Sequence, residues 1–255
     1  MNNNIVTSKD NRLVKLINKL YSDAKHRYNA SLFVIESIRV IKTFISHGYS
    51  IQNYVVSENS KYKNEFIKLS NTTIVSQQLF QSISQLKHGD GLIAVVKMKK
   101  NNVDDFNQAI ILDNIQDPGN LGSILRSMQA FNINKLFLLN SCVDVFNPKV
   151  IKASMGYGYN VAIDYVTDFK NLVNLLHQKG IKVVATALNP KAVNANKLNW
   201  SKTAVVFGNE GNGLKQNVLK YADTLAHIPI NKQVDSLNLS ISCGIIMHLM
   251  QYENS

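Results

Sequence analysis

From Ala109 onward, short apolar runs alternate with segments of helical period, and this alternation limits the possible folds more than any other feature. The runs AIILD, KLFLL, VAIDYV, KVVATAL, TAVVFG and LAHIPI are separated by candidate helices at 120–131, 147–155, 169–179, 213–222 and 238–252. Strands that read as nearly continuous apolar runs are covered on both faces. Strands that alternate with helices build a mostly parallel sheet with helical layers. The spacing therefore predicts an α/β fold for the C-terminal part.

A smaller α/β unit precedes it. LFVIE, IQNYVVSE, TIV and GLIAVVKM read as strands, and SIRVIKTFISHG reads as a helix ending at Gly48. NEFIKLS and SQQLFQSIS are also helical in pattern. In the opening segment Thr7 and Asp10 have capping-box spacing, and Leu13, Leu16, Ile17 and Leu20 form an apolar stripe. The polar stretch 99–108, KKNNVDDFNQ, lacks any period and is expected to be a linker. The expected division is thus 1–98, linker 99–108, and 109–255.

Charge separates the two parts. Residues 1–104 carry 15 Lys and Arg against 7 Asp and Glu, a net +8, out of +11 for the whole chain. A basic first part points to a polyanionic partner, of which nucleic acid is the commonest, although a solubilising surface has the same composition. No apolar run approaches the ~20 residues of a membrane span. The N-terminus MNNNIVTSKDNR has no signal-peptide core, so the cytoplasm is the expected location. Cys142 and Cys243 lie in no metal-ligand spacing, and neither zinc nor any other metal is expected.

Three segments carry candidate chemistry. In DNIQDPGNLGSILRS, Leu121, Ile124, Leu125 and Met128 form a buried helical stripe, with Asn120 as a possible cap and Arg126 off the stripe. An arginine there can serve solubility or can aim at a ligand. In VVFGNEGNGL, Gly208, Gly211 and Gly213 allow positive φ and close backbone approach, and Glu210 could orient a cation such as Arg126. Their spacing is neither the dinucleotide-binding nor the P-loop pattern, which argues against an oxidoreductase or an NTPase. In HIPINKQVDSLNLSISCGIIMHLMQYE, a loop through Ser236 leads to a terminal helix with Asn238 near its cap. Short polar groups at a helix start can hold a ligand or simply cap the helix.

Together DPGNLGSILRSMQAF, FGNEGNGL and IPINKQVDSLNLSIS resemble, in order, the signature motifs of the SpoU (TrmH-like) branch of the SPOUT RNA methyltransferases. The resemblance spans 110–252. It implies a mostly parallel sheet with a C-terminal trefoil knot, preceded by a smaller α/β substrate-binding domain, and a homodimer. It also implies S-adenosyl-L-methionine as methyl donor and a ribose 2'-hydroxyl of structured RNA, rRNA rather than tRNA, as acceptor. Matched residue by residue, the donor would meet Thr186, Ala187, Leu188, Gly208, Glu210, Gly211, Ile228, Leu237 and Asn238. Arg126 would assist the hydroxyl, with Asn120, Ser236, Asn238 and Glu210 in positioning roles. LFVIESIRVI resembles a Phe-x-x-Glu-Gly pattern with Ser37 at the glycine, and AFN places Asn132 where glycine is usual. KASMGYGYNVAI keeps a Ser-x-Gly but continues with unusual aromatics at 156–160. A non-catalytic RNA-binding or ribosome-assembly factor on the same scaffold is the alternative, and it would have no use for the polar set.

Overall fold

The computed structural model describes residues 5–252; residues 1–4 and 253–255, which the expected domain limits and the last motif include, lie outside the described residues. The first elements are α1 (Arg12–Ser22), α2 (Ala24–Ala30), β1 (Leu32–Glu36), α3 (Ile38–Ser46), β2 (Ile51–Ser57), α4 (Lys63–Phe66), β3 (Thr72–Val75), α5 (Gln77–Ile83) and β4 (Leu92–Lys97). There follow β5 (Ala109–Asp113), α6 (Pro118–Ala130), β6 (Lys135–Leu139), α7 (Pro148–Ser154), β7 (Ala162–Val166), α8 (Phe169–Gln178) and β8 (Lys182–Thr186). The chain closes with β9 (Val193–Asn194), a 3-10 turn Ala195–Lys197, β10 (Thr203–Phe207), α9 (Gln216–Tyr221), β11 (Thr224–His227) and α10 (Leu239–Tyr252).

Two compact units result. One holds the chain up to Lys99 together with Asp144–Gly156; the other holds Lys100–Val143 and Tyr157 onward. In the first unit a four-stranded mixed sheet has the order β1-β4-β2-β3, with β4 antiparallel to both neighbours and β3 parallel to β2. Val14, Ile17 and Leu20 of α1 and Leu79, Phe80 and Ile83 of α5 bury against Val34, Val55, Ile93 and Val95. Phe33, Phe44 and Phe146 meet in a ring cluster, with Phe33 centroids 5.2 and 4.6 Å from the other two. Asp144–Gly156 is fastened by a buried ion pair: Arg27 Nη2 stands 2.6 Å and Nε 2.7 Å from Asp144 Oδ2.

The opening helix differs from its expected form. Asn11 caps α1 by accepting from the Leu13 amide, while Thr7 and Asp10 precede the helix in a turn, so no capping box forms. Asp23 then accepts from the His26 amide and starts α2, dividing one apparent helix into two. The buried stripe is Val14, Ile17 and Leu20, with Leu13 and Leu16 at its margin.

The second unit is a seven-stranded sheet in the order β7-β6-β5-β10-β8-β11-β9, every pairing parallel. Successive residues of each strand point to opposite faces. One face, with Ile111, Val183, Ala185, Ala204 and Val206, buries against Phe169, Leu172, Val173 and Leu176 of α8 and Val218 of α9. The stripe expected on α6, Leu121, Ile124, Leu125 and Met128, is fully buried, as are Cys243, Ile246, Met247 and Met250 of α10. These two helices pack together. Because all strands run the same way, the loops after β5, β8, β10 and β11 emerge at one edge of the sheet, where open α/β sheets bind ligands.

Candidate active site

The loop after β5 turns directly into α6. Asp117, not Asn120, is the N-cap: its side chain accepts from the Asn120 amide at 2.7 Å, and Pro118 sits at the first helical position. Asn120 is thereby buried in the first turn, with its side chain free for longer-range bonds. Its Nδ2 donates to Glu210 Oε1 at 2.8 Å, and its Oδ1 accepts from Asn238 Nδ2 at 3.0 Å. Asn238 Oδ1 in turn accepts from the Ser240 amide at 2.9 Å and the Ser240 hydroxyl at 2.7 Å, opening α10. Three segments far apart in sequence are thus joined through one side chain.

Glu210 is committed to Asn120 and forms no ion pair with Arg126, contrary to the expectation that it would orient the arginine. Arg126 is exposed on α6, about 9 Å along the axis from Asn120, and among the described residues it has no ion pair or side-chain hydrogen bond. Ser236 is exposed in the loop before α10 and is not bonded to the Asn120 network. Cys243, one turn into α10, is fully buried. Burial, and then the charge of Glu210, push its pKa well above the ordinary thiol value, so it is a neutral core group and not a nucleophile.

The glycine-rich turn has a different internal logic from the one its spacing implies. Of its three glycines only Gly213 has positive φ, at +62°. At Gly208 an added Cβ would stand 2.4 Å from the Gly213 carbonyl carbon, so the absence of a side chain lets the turn close on itself. Gly211 is under neither constraint. Asn209, which the motif spacing does not single out, organises the turn. Its Oδ1 accepts from the amides of Gly211 and Asn212, and its Nδ2 reaches Asn114 O at 2.9 Å. An asparagine two residues before a glycine is an Asx-turn signal and could have revealed this.

The residues expected to meet a methyl donor stand on neighbouring strand ends. Thr186 closes β8 and donates to Val206 O of adjacent β10 at 3.0 Å, and the Ala187 amide donates to Ala226 O of β11 at 2.9 Å. Leu188 follows and is highly exposed; Ile228 follows β11; Leu237 is half-buried in the loop before α10. Between Pro229 and Leu237 two described main-chain amides bond within the segment, Val234 N to Asn231 O and Gln233 N to Asn231 Oδ1. Among the described residues no group of three or more His, Cys, Asp or Glu is placed to hold a metal ion.

Residues 107–248 match the SpoU rRNA Methylase family. The chain belongs to this family. Residues 11–94 match the MRM3-like substrate binding domain. A relative is the 23S rRNA (guanosine(2553)-2'-O)-methyltransferase RlmP of Bacillus subtilis, 23% identical over 95% of this chain and 97% of its own. An AdoMet-bound rRNA methyltransferase from Sinorhizobium meliloti shares the fold at TM-score 0.84 and 24% identity, over 97% of both chains. An RNA 2'-O ribose methyltransferase structure aligns at TM-score 0.81 and 25% identity, over 98% of both chains. The family membership accords with the motif order, and two glycine replacements in the motifs gain a physical reading. Asn132 adopts φ 53°, which asparagine tolerates, and Ser37 adopts φ 81°.

Proposed function

We propose that this protein transfers a methyl group from S-adenosylmethionine to a ribose 2'-hydroxyl of ribosomal RNA. The observation that carries the proposal is the Glu210–Asn120–Asn238 network at the carboxyl edge of a parallel sheet, with Arg126 on the same helix as Asn120 and unpaired among the described residues, in a SpoU-family chain. A chain that only bound RNA would have no need to hold buried Asn120 from two sides. S-adenosylmethionine, when bound, supplies an electrophilic methyl on a sulfonium centre. Thr186, Ala187, Leu188, Gly208 and Ile228, at or just past strand ends, with Gly211 and Leu237 from the turns that follow, would receive it.

A ribose hydroxyl is a weak nucleophile at neutral pH, so charge developing on its oxygen must be met as its proton departs. Arg126 is given that role. A guanidinium is effectively always charged, and it stabilises the oxygen or holds the adjacent phosphate rather than acting as a base. Asn120 and Asn238 hold the acceptor and donor sides in register, Glu210 fixes the Asn120 amide, and the Ser236 hydroxyl contacts the ribose.

The finer architecture belongs to the same reading. The terminal segment is assigned a trefoil knot, supported by the place of β10 between β5 and β8 and by Gln108 Nε2 donating to Met250 O at 2.8 Å. A homodimer is assigned, supported by exposed apolar side chains at Leu188, Val234 and Ile241. The unit built around residues 1–98 is assigned to substrate binding, 109–255 to catalysis, and the cytoplasm as location. No helix among the described residues is long and apolar enough to cross a membrane. Calorimetric titration with S-adenosylmethionine, joined to mass-spectrometric mapping of ribose methylation in rRNA from cells lacking the protein, tests the activity. Donor binding and one missing 2'-O-methyl group are expected; donor silence with a complete methylation map would refute it.

A further inference from the structure

The first unit contains a cavity of about 870 Å³, inside the range of roughly 300–1,000 Å³ in which proteins take organic groups. Its walls are the turn after β2, the outer side of α5, and the connection 84–91 between α5 and β4. Both ends of that connection are tied to the β1–α3 junction. Glu36 accepts from the Ser84 hydroxyl at 2.6 Å and from the Gln85 amide at 2.7 Å, while Tyr21 donates to it at 2.5 Å. At the other end Asp90 accepts from the Ser37 hydroxyl and the Ile38 amide, each at 3.0 Å. Ser37 does so from φ 81°, a conformation that favours glycine. Strain of that kind costs about 1–3 kcal/mol and persists where surrounding bonds over-determine it, commonly at ligand clamps.

The rim so fixed is chemically uncommitted. The side chains of Gln81, Gln85 and Lys87 make no hydrogen bond or ion pair among the described residues; Lys61 makes only a contact 5.1 Å over the Tyr62 ring. The Asp90 carboxylate in the same wall has its acceptor capacity turned to Ser37 and Ile38, and Lys61 and Lys87 set two positive charges against its one. Primary amides present a donor beside an acceptor, the pattern of a base edge, and ammonium groups take phosphates. A duplex keeps its Watson–Crick edges paired and would leave the amides without partners. Unpaired nucleotides can be splayed into such a cavity and read at their edges.

We propose that this cavity binds unpaired nucleotides of the RNA substrate, with Gln81 and Gln85 at a base edge and Lys61 and Lys87 on flanking phosphates. This rests on the reading of the protein as an RNA-modifying enzyme and locates where its first unit grips the RNA. Fluorescence anisotropy of the full chain with a short mixed-sequence single-stranded RNA and a blunt RNA duplex of equal length tests it. The wild type is expected to prefer the single strand. Gln81→Ala with Gln85→Ala should weaken single-strand binding about tenfold, leaving duplex binding and the salt slope unchanged. Lys61→Gln with Lys87→Gln should reduce the single-strand salt slope by about 1.4, two phosphates at roughly 0.7 each. Equal binding by wild type and both variants, preference for the duplex, or no binding of either RNA would overturn the proposal. Calorimetry with S-adenosylmethionine on the same proteins separates the two readings. Donor binding with failed RNA discrimination sinks only the cavity, and RNA discrimination without donor binding sinks only the enzyme.

Discussion

The two units treat polar side chains in opposite ways. At the carboxyl edge of the parallel sheet, Glu210, Asn120 and Asn238 satisfy one another, and Asn209 ties the glycine turn to Asn114, while Arg126 has no side-chain partner among the described residues. Around the cavity of the first unit, Glu36 and Asp90 spend their bonds on fixing the loop backbone, while the amides and lysines of the rim stay unpaired among the described residues. The first is a closed network of mutually bonded polar groups, a preorganisation of the kind that the proposed stabilisation of developing charge would use. The second is a firm frame with adaptable fingers, which suits recognition of a flexible strand. On the proposed roles, chemistry and recognition differ in which layer of the site is rigid.

That contrast can be strained at its foundations first. Asp144→Ala would leave the Arg27 guanidinium buried without its carboxylate, and loss of one partner from such a pair costs about 3–5 kcal/mol. Urea unfolding should register that loss; a change under about 1 kcal/mol would mean that the ion pair does not hold Asp144–Gly156 to the first unit. Next comes the strained frame. Ser37→Ala keeps the unfavourable φ and loses a bond to a carboxylate, so about 1.5–3 kcal/mol of destabilisation is expected. Ser37→Gly loses the same bond but relieves the strain, so it should fall within about 1 kcal/mol of wild type. Equal thermal shifts in the two variants would deny the strain any role. Gly208→Ala sharpens the other side, because its methyl would meet the Gly213 carbonyl carbon 2.4 Å away. Crowding of this kind costs about 1–3 kcal/mol, and the displaced turn should lower S-adenosylmethionine affinity. Unchanged donor affinity by calorimetry would detach the turn from the donor site.

How much of the molecule is readable from sequence follows from range. The strands of the parallel sheet are legible in AIILD, KLFLL and TAVVFG because burial on both faces leaves a local apolar run. The two-residue strand at Val193–Asn194 carries no such run and is invisible to pattern. The Thr7–Asp10 spacing misleads because Asn11, one residue before the first helical position, offers its own side chain to the Leu13 amide. Membership of Asp144–Gly156 in the first unit rests on partners more than 100 residues away, Arg27 for Asp144 and Phe33 for Phe146, and no neighbouring residue announces it. In the site, Asn120, Glu210 and Asn238 are identifiable as types in motifs. Their mutual bonds span 90 and 118 residues and belong to the tertiary fold alone. The glycines of the turn read in sequence as facing a ligand, whereas at Gly208 the nearest claim on the space comes from the chain itself.

The decisive measurement is single-turnover methyl transfer to unmodified ribosomal RNA by the Arg126→Ala protein, with donor affinity determined on the same sample. Removing the Arg126 guanidinium while leaving the Glu210–Asn120–Asn238 bonds in place should slow transfer about 10²–10³-fold while donor binding stays at the wild-type level. Transfer at the wild-type rate would contradict the assignment of that arginine and, with it, the division between a committed network and a cation left for the substrate.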